Sequence, residues 1–375
     1  MPETTAWQWN SVEPRDGVEL LIIGDIQVQG RADPKTAFGN VMDTFNKADL
    51  IYANLEGMLV TSKGAAGTDV PDKKWVHPGT SGIAALKAAN IKVVGQANNV
   101  AWDKANILET ARVLDEAGIA HTGSGRNLEE AHKPAILERK GVRIGFLQYT
   151  ARWYRADIQL ATETTPGVAR LMSRDGVTID PRDLQRVVQD VQKLRFQMDI
   201  LVASHHNRDG ATPVQWEETE STPWMQRPPE APRPANAPRP DRHISEEYQK
   251  LFAHTALDAG ADLVFGHGTH TVQGVEIYKG KPILYAIGHS AFDQPGYEKS
   301  TDGLIVRVSI RNKKIEQVSF VPVTRIDNDL VMLDPSSPEG QDLVNVVEKF
   351  SGSLPLTTEG HEVVMLKKAV AAALR

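Results

Sequence analysis

The stretch Asp262-Leu263-Val264-Phe265-Gly266-His267-Gly268-Thr269-His270 joins a short apolar run to a glycine-rich turn that carries two histidines. The apolar run predicts a buried strand, and the turn places both imidazoles just beyond the end of that strand. Two histidines in such a turn are hard to explain as core filling. We therefore interpret His267 and His270 as groups that bind a metal or a substrate.

The same combination of an apolar run and polar side chains occurs at five other places along the chain. In chain order, the polar parts of these blocks are Gly24-Asp25, Asn54-Leu55-Glu56, Asn98-Asn99, His205-His206-Asn207 and Gly288-His289-Ser290. In an α/β sheet such strand ends meet at one edge, where these folds bind ligands. Carboxylate, amide and imidazole groups gathered there predict a site for a divalent cation.

The apolar pattern alternates between strand and helix, which predicts α/β layers whose sheet becomes antiparallel toward the end of the chain. The predicted strands are 19–24, 50–54, 91–95, 142–149, 199–204, 262–266, 274–278, 283–287, 303–310 and 315–322. The predicted helices are 36–47, 80–89, 103–117, 181–196 and 245–259. Asp103 is suited to cap the third helix, and Gly118 to end it.

Composition excludes several classes of protein. The chain has 375 residues, 41% of them hydrophobic and 24% charged, which is typical of a globular protein with a large core. The net charge of −6 and the absence of a basic run argue against a nucleic-acid partner. Since there are no cysteines, disulfides, thiolate metal sites and cysteine nucleophiles are excluded.

Targeting signals are not visible in the sequence. Residues 1–18 are polar and contain no apolar segment of the kind that a secretory signal needs. No run approaches the roughly 20 apolar residues of a membrane-spanning helix. We therefore expect a cytoplasmic protein without a membrane anchor. Nothing in the sequence indicates an oligomeric state.

Two segments differ from the rest of the chain. Residues 211–243 contain seven prolines in the stretch from Pro223 to Pro240, which predicts a long irregular loop. This loop is either a solvated linker or a lid whose Trp216 and Trp224 contact the substrate. The tail from about residue 336 to 375 has two amphipathic patterns, which predict helices.

The polar blocks carry a family resemblance over roughly residues 19 to 323. The chain resembles the CapA group of poly-γ-glutamate capsule biosynthesis proteins, a branch of the calcineurin-like metallophosphoesterase superfamily. The matching stretches are Gly24-Asp25-Ile26-Gln27, Ala53-Asn54-Leu55-Glu56, Ala97-Asn98-Asn99, Gly266-His267-Gly268-Thr269-His270, Lys279-Gly280-Lys281-Pro282 and Tyr285-Ala286-Ile287-Gly288.

The resemblance implies an α/β fold of four layers (αββα), with two sheets in the middle and helices outside. It implies one catalytic domain over 19–323 that includes the Pro-rich loop, and we expect 324–375 to be a helical extension packed on it. A divalent cation (Mn, Zn, Ca or Mg) is expected. Its ligands would come from Asp25, Glu56, Asn99, His206, His267 and His270.

Four positions depart from the pattern of the superfamily. Val100 lies where that pattern has a histidine that protonates the leaving group, and valine cannot donate a proton. Gln27 lies where many members have a metal-binding histidine. Conversely, His289 replaces an asparagine, and His205 adds an imidazole beside His206. The absence of a histidine at Val100 and at Gln27 weakens the expectation of a two-metal phosphoesterase.

The resemblance therefore implies a metal-dependent hydrolase, and we expect an amide or peptide-like bond of a small or acidic substrate rather than a phosphoester. His206, His289 and His205 are candidates for moving protons near neutral pH. Two alternatives stay open: a metal-assisted acid/base enzyme (epimerase or lyase), and a non-catalytic protein of capsule assembly. The expected partner is a small-molecule or peptide substrate, and its candidate contacts are Arg152, Arg208, Trp216 and Trp224.

Overall fold

Two β-sheets lie face to face in the computed structural model, which describes residues 17–28, 31, 33–60, 76–153, 156–173, 177–207, 241–293 and 302–367. The strands are, in chain order, β1 (Val18–Gln27), β2 (Leu50–Leu55), β3 (Met58–Val60), β4 (Val76–Pro78), β5 (Val93–Gly95), β6 (Ala120–Thr122), β7 (Ser124–Gly125), β8 (Ala135–Arg139), β9 (Val142–Thr150), β10 (Gly167–Val168), β11 (Ile200–His206), β12 (Leu263–His267), β13 (Val275–Tyr278), β14 (Lys281–Leu284), β15 (His289–Phe292), β16 (Gly303–Arg311), β17 (Lys314–Ile326), β18 (Asp329–Met332), β19 (Thr357–Glu359) and β20 (Glu362–Lys367).

The helices begin with a 3₁₀ helix over Pro34–Val41 and continue with α1 (Met42–Phe45), α2 (Gly79–Ala88), α3 (Lys104–Ala117), α4 (Leu128–Ala131), α5 (Ala156–Gln159), α6 (Pro181–Arg195), α7 (Glu247–Ala259) and α8 (Pro338–Phe350). As predicted, Asp103 caps α3 through the backbone N–H of Ala105, and Gly118 ends it in the left-handed region. The helix predicted over 36–47 is instead a 3₁₀ helix followed by one short α turn. Gly39 lies in its middle and weakens an α-helix there.

The first sheet is mixed. Its order is β19-β20-β17-β16-β1-β2-β5-β6, with β15 beside β1 and β18 beside β17. The strands β15, β1, β2, β5 and β6 pair parallel with one another, whereas β16 pairs antiparallel with both β1 and β17, and β17 pairs antiparallel with β20. The second sheet has the order β13-β14-β12-β11-β9-β8, and its central strands are parallel. The predicted change to antiparallel pairing late in the chain is confirmed.

The core lies between the two sheets. Tyr52 of β2 stacks on Phe146 of β9, with ring centroids 5.3 Å apart, and meets Phe265 of β12 edge-on at 5.2 Å. On the outer face of the first sheet, apolar residues pack against the 3₁₀ helix, α1, α2 and α3. The outer face of the second sheet packs against α6 and α7. The expected αββα arrangement is therefore confirmed.

The C-terminal part of the chain is only partly helical. Its first predicted helix is α8, which adds Leu343 and Val347 to the core between the sheets. The prediction of a second helix is wrong for residues 357–367. This stretch forms β19 and β20, which extend the first sheet. The β-branched pair Val363-Val364 favours a strand, and pairing with β17 outweighs the helical pattern. Among the described residues, no helix has the length and hydrophobicity to span a bilayer.

A buried ion pair ties β20 to the sheet. Arg307 of β16 is 2% exposed, and its Nη2 lies 2.5 Å from Glu362 Oε1. The other Glu362 oxygen accepts a hydrogen bond from Ser319 at 2.6 Å. A charge buried in this way is costly unless its partner remains.

Removing that partner should therefore unfold the protein more easily. We expect Glu362→Ala to lower the free energy of unfolding by about 3–5 kcal/mol, measured by urea denaturation, because it removes the nearest carboxylate from the buried Arg307 guanidinium and leaves Glu19 at 3.9 Å. The exposed pair Lys367–Glu359 on the neighbouring strands provides the control, and Glu359→Ala should cost less than about 1 kcal/mol. Equal losses in both variants would contradict this interpretation.

Candidate metal centre

The carboxyl ends of the parallel strands from both sheets meet at one place. In the first sheet, Asp25 of β1 lies beside Asn54 of β2 on one side and His289 of β15 on the other. In the second sheet, His206 of β11 lies beside His267 of β12. All five side chains are buried, with 0% exposure. The structure thus brings together residues that the sequence placed at separate strand ends.

A first group of possible ligands consists of Asp25, His206 and His267, whose nearest ligand atoms all lie within 4.8 Å of one another. The Nδ1 atoms of the two histidines are 2.9 Å apart. Asp25 Oδ1 lies 3.6 Å from His267 Nδ1. One carboxylate and two imidazoles at these distances suit a divalent transition metal.

A second group shares Asp25 and adds His270 and His289, again within 4.8 Å. The other carboxylate oxygen, Oδ2, lies 3.5 Å from His270 Nδ1, and Glu56 Oε1 lies 3.8 Å from His270 Nε2. The imidazoles of His270 and His289 stack at 4.5 Å with planes 13° apart. His270 has a φ of +60°, a strained conformation for a residue other than glycine and one that is common at functional sites.

Two glycines make this close approach possible. A Cβ on Gly268 would lie 2.7 Å from His206 Nε2, and its φ is +90°. The backbone N–H of Gly268 instead donates to Asp25 Oδ2 at 3.0 Å. A Cβ on Gly24 would meet the carbonyl oxygen of Gly288 at 2.0 Å, so only glycine allows β1 and β15 to lie together here.

The two asparagines after β5, Asn98 and Asn99, make different contacts. Asn98 Oδ1 accepts hydrogen bonds from the backbone N–H groups of Val100 and Ala101, and so holds the loop. Asn99 Oδ1 lies 2.6 Å from His206 Nε2. Asn99 is therefore the one that faces the cluster. It is positioned either to hold the His206 ring by a hydrogen bond or to share a cation with it.

Burial dominates the electrostatics of the site. Removal from water raises the pKa of Asp25 and of Glu56, and the nearby Asp25 carboxylate raises the pKa of Glu56 further. The same desolvation lowers the pKa of His206, His267 and His289, so these rings are neutral near pH 7. Neutral imidazoles are the form that binds metals.

These residues fit a divalent cation. Fully buried carboxylates are stable as anions only when they are paired or coordinate a metal, and the surrounding imidazoles supply the other ligands. The ligand set predicted from the sequence is present in one place. Because Asp25 belongs to both groups, the residues offer places for two cations, whereas the sequence suggested one.

His205 does not reach this cluster. Neighbouring residues of a strand face opposite sides, so His205 points toward the helices while His206 points between the sheets. Its ring packs against Phe252 at 4.7 Å and Tyr248 at 6.4 Å. The structure thus places His205 in the packing of α7 on the second sheet rather than in the ligand cluster, and its role in proton transfer stays a prediction.

The candidate substrate contacts are only partly described. Arg152 lies just beyond β9 and is half-buried, and its charge lowers the pKa of Asp25, Glu56 and His206. It is therefore close to the cluster. Arg208, Trp216, Trp224 and most of the Pro-rich loop lie outside the described residues, so their roles stay predictions.

Sequence reasoning missed Gln148, which is 1% exposed and contacts both Asn54 and His267. The available signal was one amide inside the apolar strand predicted over 142–149. Polar residues occur in buried strands for many reasons, and nothing nearby in the sequence indicates its partners.

Several proteins are similar to this chain in sequence. An uncharacterized protein of Sinorhizobium fredii is 26% identical, over 74% of this chain and 67% of its own length. The PGA biosynthesis protein CapA of Bacillus subtilis is 24% identical, over 82% and 72%. The capsule biosynthesis protein CapA of Bacillus anthracis is also 24% identical, over 81% and 66%.

A solved structure described as a novel phosphatase from Mycoplasma pneumoniae covers 88% of this chain and 99% of its own, with a TM-score of 0.45 and 13% identity. A likeness of this degree carries no conclusion about activity. The family model of the bacterial capsule synthesis protein PGA_cap matches residues 11–222 and 239–294, which include every ligand candidate. The chain therefore belongs to the PGA_cap family of bacterial capsule synthesis proteins.

Proposed function

We propose that this protein is a metal-dependent hydrolase that cleaves an amide or peptide-like bond of a small acidic substrate. The observation that carries the proposal is the Asp25 carboxylate, buried between the pair His206–His267 and the pair His270–His289. Such a set of ligands is what a hydrolytic metal site needs.

Each group has a definite task in this proposal. Asp25 and Glu56, with the four imidazoles, would hold the divalent cation (Mn, Zn, Ca or Mg). A cation bound there supplies Lewis acidity, which polarises a carbonyl and brings the pKa of a bound water to about 7. Asn99 and Asn54 orient His206 and Asp25 through contacts of 2.6 Å and 2.8 Å. Exclusion of water from the buried cluster strengthens all these interactions.

Arg152 and the family support the proposed substrate class. A guanidinium beside the cluster can bind a carboxylate with two parallel hydrogen bonds. The family and the Bacillus relatives are named for capsule or PGA biosynthesis, and poly-γ-glutamate is a chain of acidic units joined by amide bonds. This favours an acidic amide over a phosphoester.

A second candidate is metal-assisted acid/base chemistry at a Cα, as in an epimerase or lyase. It is favoured by the surplus of buried histidines and by Val100, which is 1% exposed and occupies a position where a proton donor was expected. A non-catalytic role in capsule assembly is the third candidate. This role gives no reason for the candidate metal ligands to lie together.

One experiment separates the three candidates. The Mn²⁺- or Zn²⁺-loaded protein is incubated with γ-glutamyl oligopeptides in D₂O, and the products are analysed by mass spectrometry. Hydrolysis predicts shorter peptides without deuterium at Cα. Deuterium at Cα of the substrate would contradict hydrolysis and indicate epimerisation or elimination. Absence of any reaction in a protein that does bind the cation would contradict both enzyme candidates.

Generic phosphoesters should be poor substrates. Val100 offers no proton to a leaving group, and one acid/base group is typically worth about 10²–10⁴ in rate. We therefore expect the metal-loaded protein to release aryl alcohols from aryl phosphates scarcely faster than a chelator-treated control. Rapid, metal-dependent release would show that another residue fills this role and would favour a phosphoesterase.

A further inference from the structure

Gln148 projects from β9 of the second sheet into the space between the two sheets. Phe146, two residues earlier on the same face, belongs to the core between the sheets. Gln148 itself lies near the end of its strand, level with the cluster, and is 1% exposed. An amide in such a place needs partners for all its polar atoms, because an unsatisfied one would cost stability.

One contact determines which way this amide faces. The backbone N–H of Ala97, beyond β5 of the first sheet, donates to Gln148 Oε1 at 2.8 Å. A backbone N–H can only donate, so the oxygen must lie on that side. Consequently the Nε2 group faces the cluster. There it lies 2.8 Å from Asn54 Oδ1 and 2.7 Å from His267 Nε2.

Gln148 also fixes how Asn54 faces the Asp25 carboxylate, which both groups of ligands share. Asn54 Oδ1 accepts from Gln148, so the amide of Asn54 presents its Nδ2 to Asp25 Oδ1, at 2.8 Å. A flipped Asn54 would bring its oxygen against that carboxylate. Gln148 Nε2 also lies 2.7 Å from His267 Nε2, which must accept this hydrogen bond because an amide N–H only donates. This contact therefore does not hold His267 in the tautomer whose Nδ1 binds a cation, and Gln148 acts on the cluster through Asn54.

The side chain has little freedom to move. A Cβ on Gly95 would lie 2.2 Å from Gln148 Oε1, and a Cβ on Gly123 would lie 3.1 Å from it. These glycines belong to the first sheet or its connection to β7, so both sheets enclose the amide. Gln148 is therefore held in one conformation that joins the two sheets at the cluster.

We propose that Gln148 is a positioning residue of the cation site, which fixes the Asn54 amide, and through it the Asp25 carboxylate, across the interface of the two sheets. The inference rests on the cation binding that the proposed function requires. Partners of metal ligands that do not touch the metal are typically worth about 10–100-fold in metal affinity. Loss of Gln148 acts in this way, because it releases the Asn54 amide, which donates to Asp25 Oδ1.

The test compares two buried glutamines in the full-length protein. Gln148→Met keeps the length of the side chain but cannot donate a hydrogen bond. Gln249→Met is the control, since Gln249 is also 1% exposed and hydrogen-bonded, to Gln273 at 2.9 Å, but lies on α7 away from the cluster. The affinity for Mn²⁺ is measured by titration calorimetry, and the visible spectrum of the Co²⁺-loaded protein reports the arrangement of ligands.

We expect Gln148→Met to weaken Mn²⁺ binding about 10–100-fold and to shift the Co²⁺ spectrum, whereas Gln249→Met leaves both unchanged. If Gln148→Met does not fold, Gln148→Asn, which keeps the polar group on a shorter stem, is measured in its place with the same expectation. Wild-type affinity and spectrum in the Gln148 variant would overturn the inference, and so would an equal loss in the Gln249 variant. A wild-type protein that binds neither cation would instead overturn the proposed function, and the inference with it.

Discussion

An Asp25→Asn variant is expected to lose cation binding at both groups of ligands. Its side chain keeps the shape of aspartate but not the charge, and Asp25 is the one residue that both groups share. Its two oxygens lie 3.6 Å from His267 and 3.5 Å from His270. The affinity for the cation should fall by more than about 100-fold. That value is the upper end of the range for residues that only contact a metal ligand. Turnover should disappear together with the bound metal.

Metal content after dialysis, measured by inductively coupled plasma mass spectrometry, checks this prediction. Asp49→Asn is a suitable control, because Asp49 precedes β2 at the opposite end of the strand from Asn54 and pairs with Lys140. It should retain the wild-type metal content. An Asp25→Asn protein with full metal content and full activity would refute the assigned centre.

His289→Asn should have the second largest effect. His289 lies directly beside Asp25 in the pairing of β1 and β15, and its ring stacks on His270. Desolvation, with His270 and Arg325 nearby, lowers its pKa well below the usual range. The ring is thus neutral near pH 7 and cannot donate a proton as an imidazolium, so the geometry favours a ligand over the acid expected from the sequence.

If His289 is a ligand, His289→Asn should retain less metal and lower kcat by roughly 10²–10⁴, the range typical for loss of one important group in an active site. The pH–rate profile near pH 7 should keep both its limbs, because desolvation lowers the pKa of His289 and the ring is already neutral there. Full metal content combined with loss of one limb of that profile would contradict the ligand role. It would restore the hypothesis that His289 and His206 share the movement of protons.

The polar residues at the carboxyl ends of strands were the feature that could best be predicted from the sequence. Apolar runs that end in Asp25, His206 or His267 are local signals, and parallel pairing carries them to a common edge. The alternation of side chains along a strand also separates His206 from His205, although sequence alone left both as candidates. The αββα layers could be expected because the family resemblance supplied the arrangement of the two sheets.

Contacts between the two sheets could not be predicted in this way. Gln148 reaches Asn54 only because of the spacing of the sheets, and no local pattern encodes that distance. Division of the ligands into two groups depends on which oxygen of Asp25 faces which histidine pair. Similarly, β20 is a strand because β17 offers it a partner, whereas its own sequence pattern also fits a helix.

The central claim is that Asp25 lies at the centre of a divalent cation site. Anomalous difference maps from crystals of the Mn²⁺-loaded protein test it most directly, since they locate the cation without reference to activity. We predict density next to Asp25, on the side of His206 and His267, on the side of His270 and His289, or on both. Crystals loaded with Mn²⁺ that show no anomalous density beside Asp25, or density only at the protein surface, would contradict the claim.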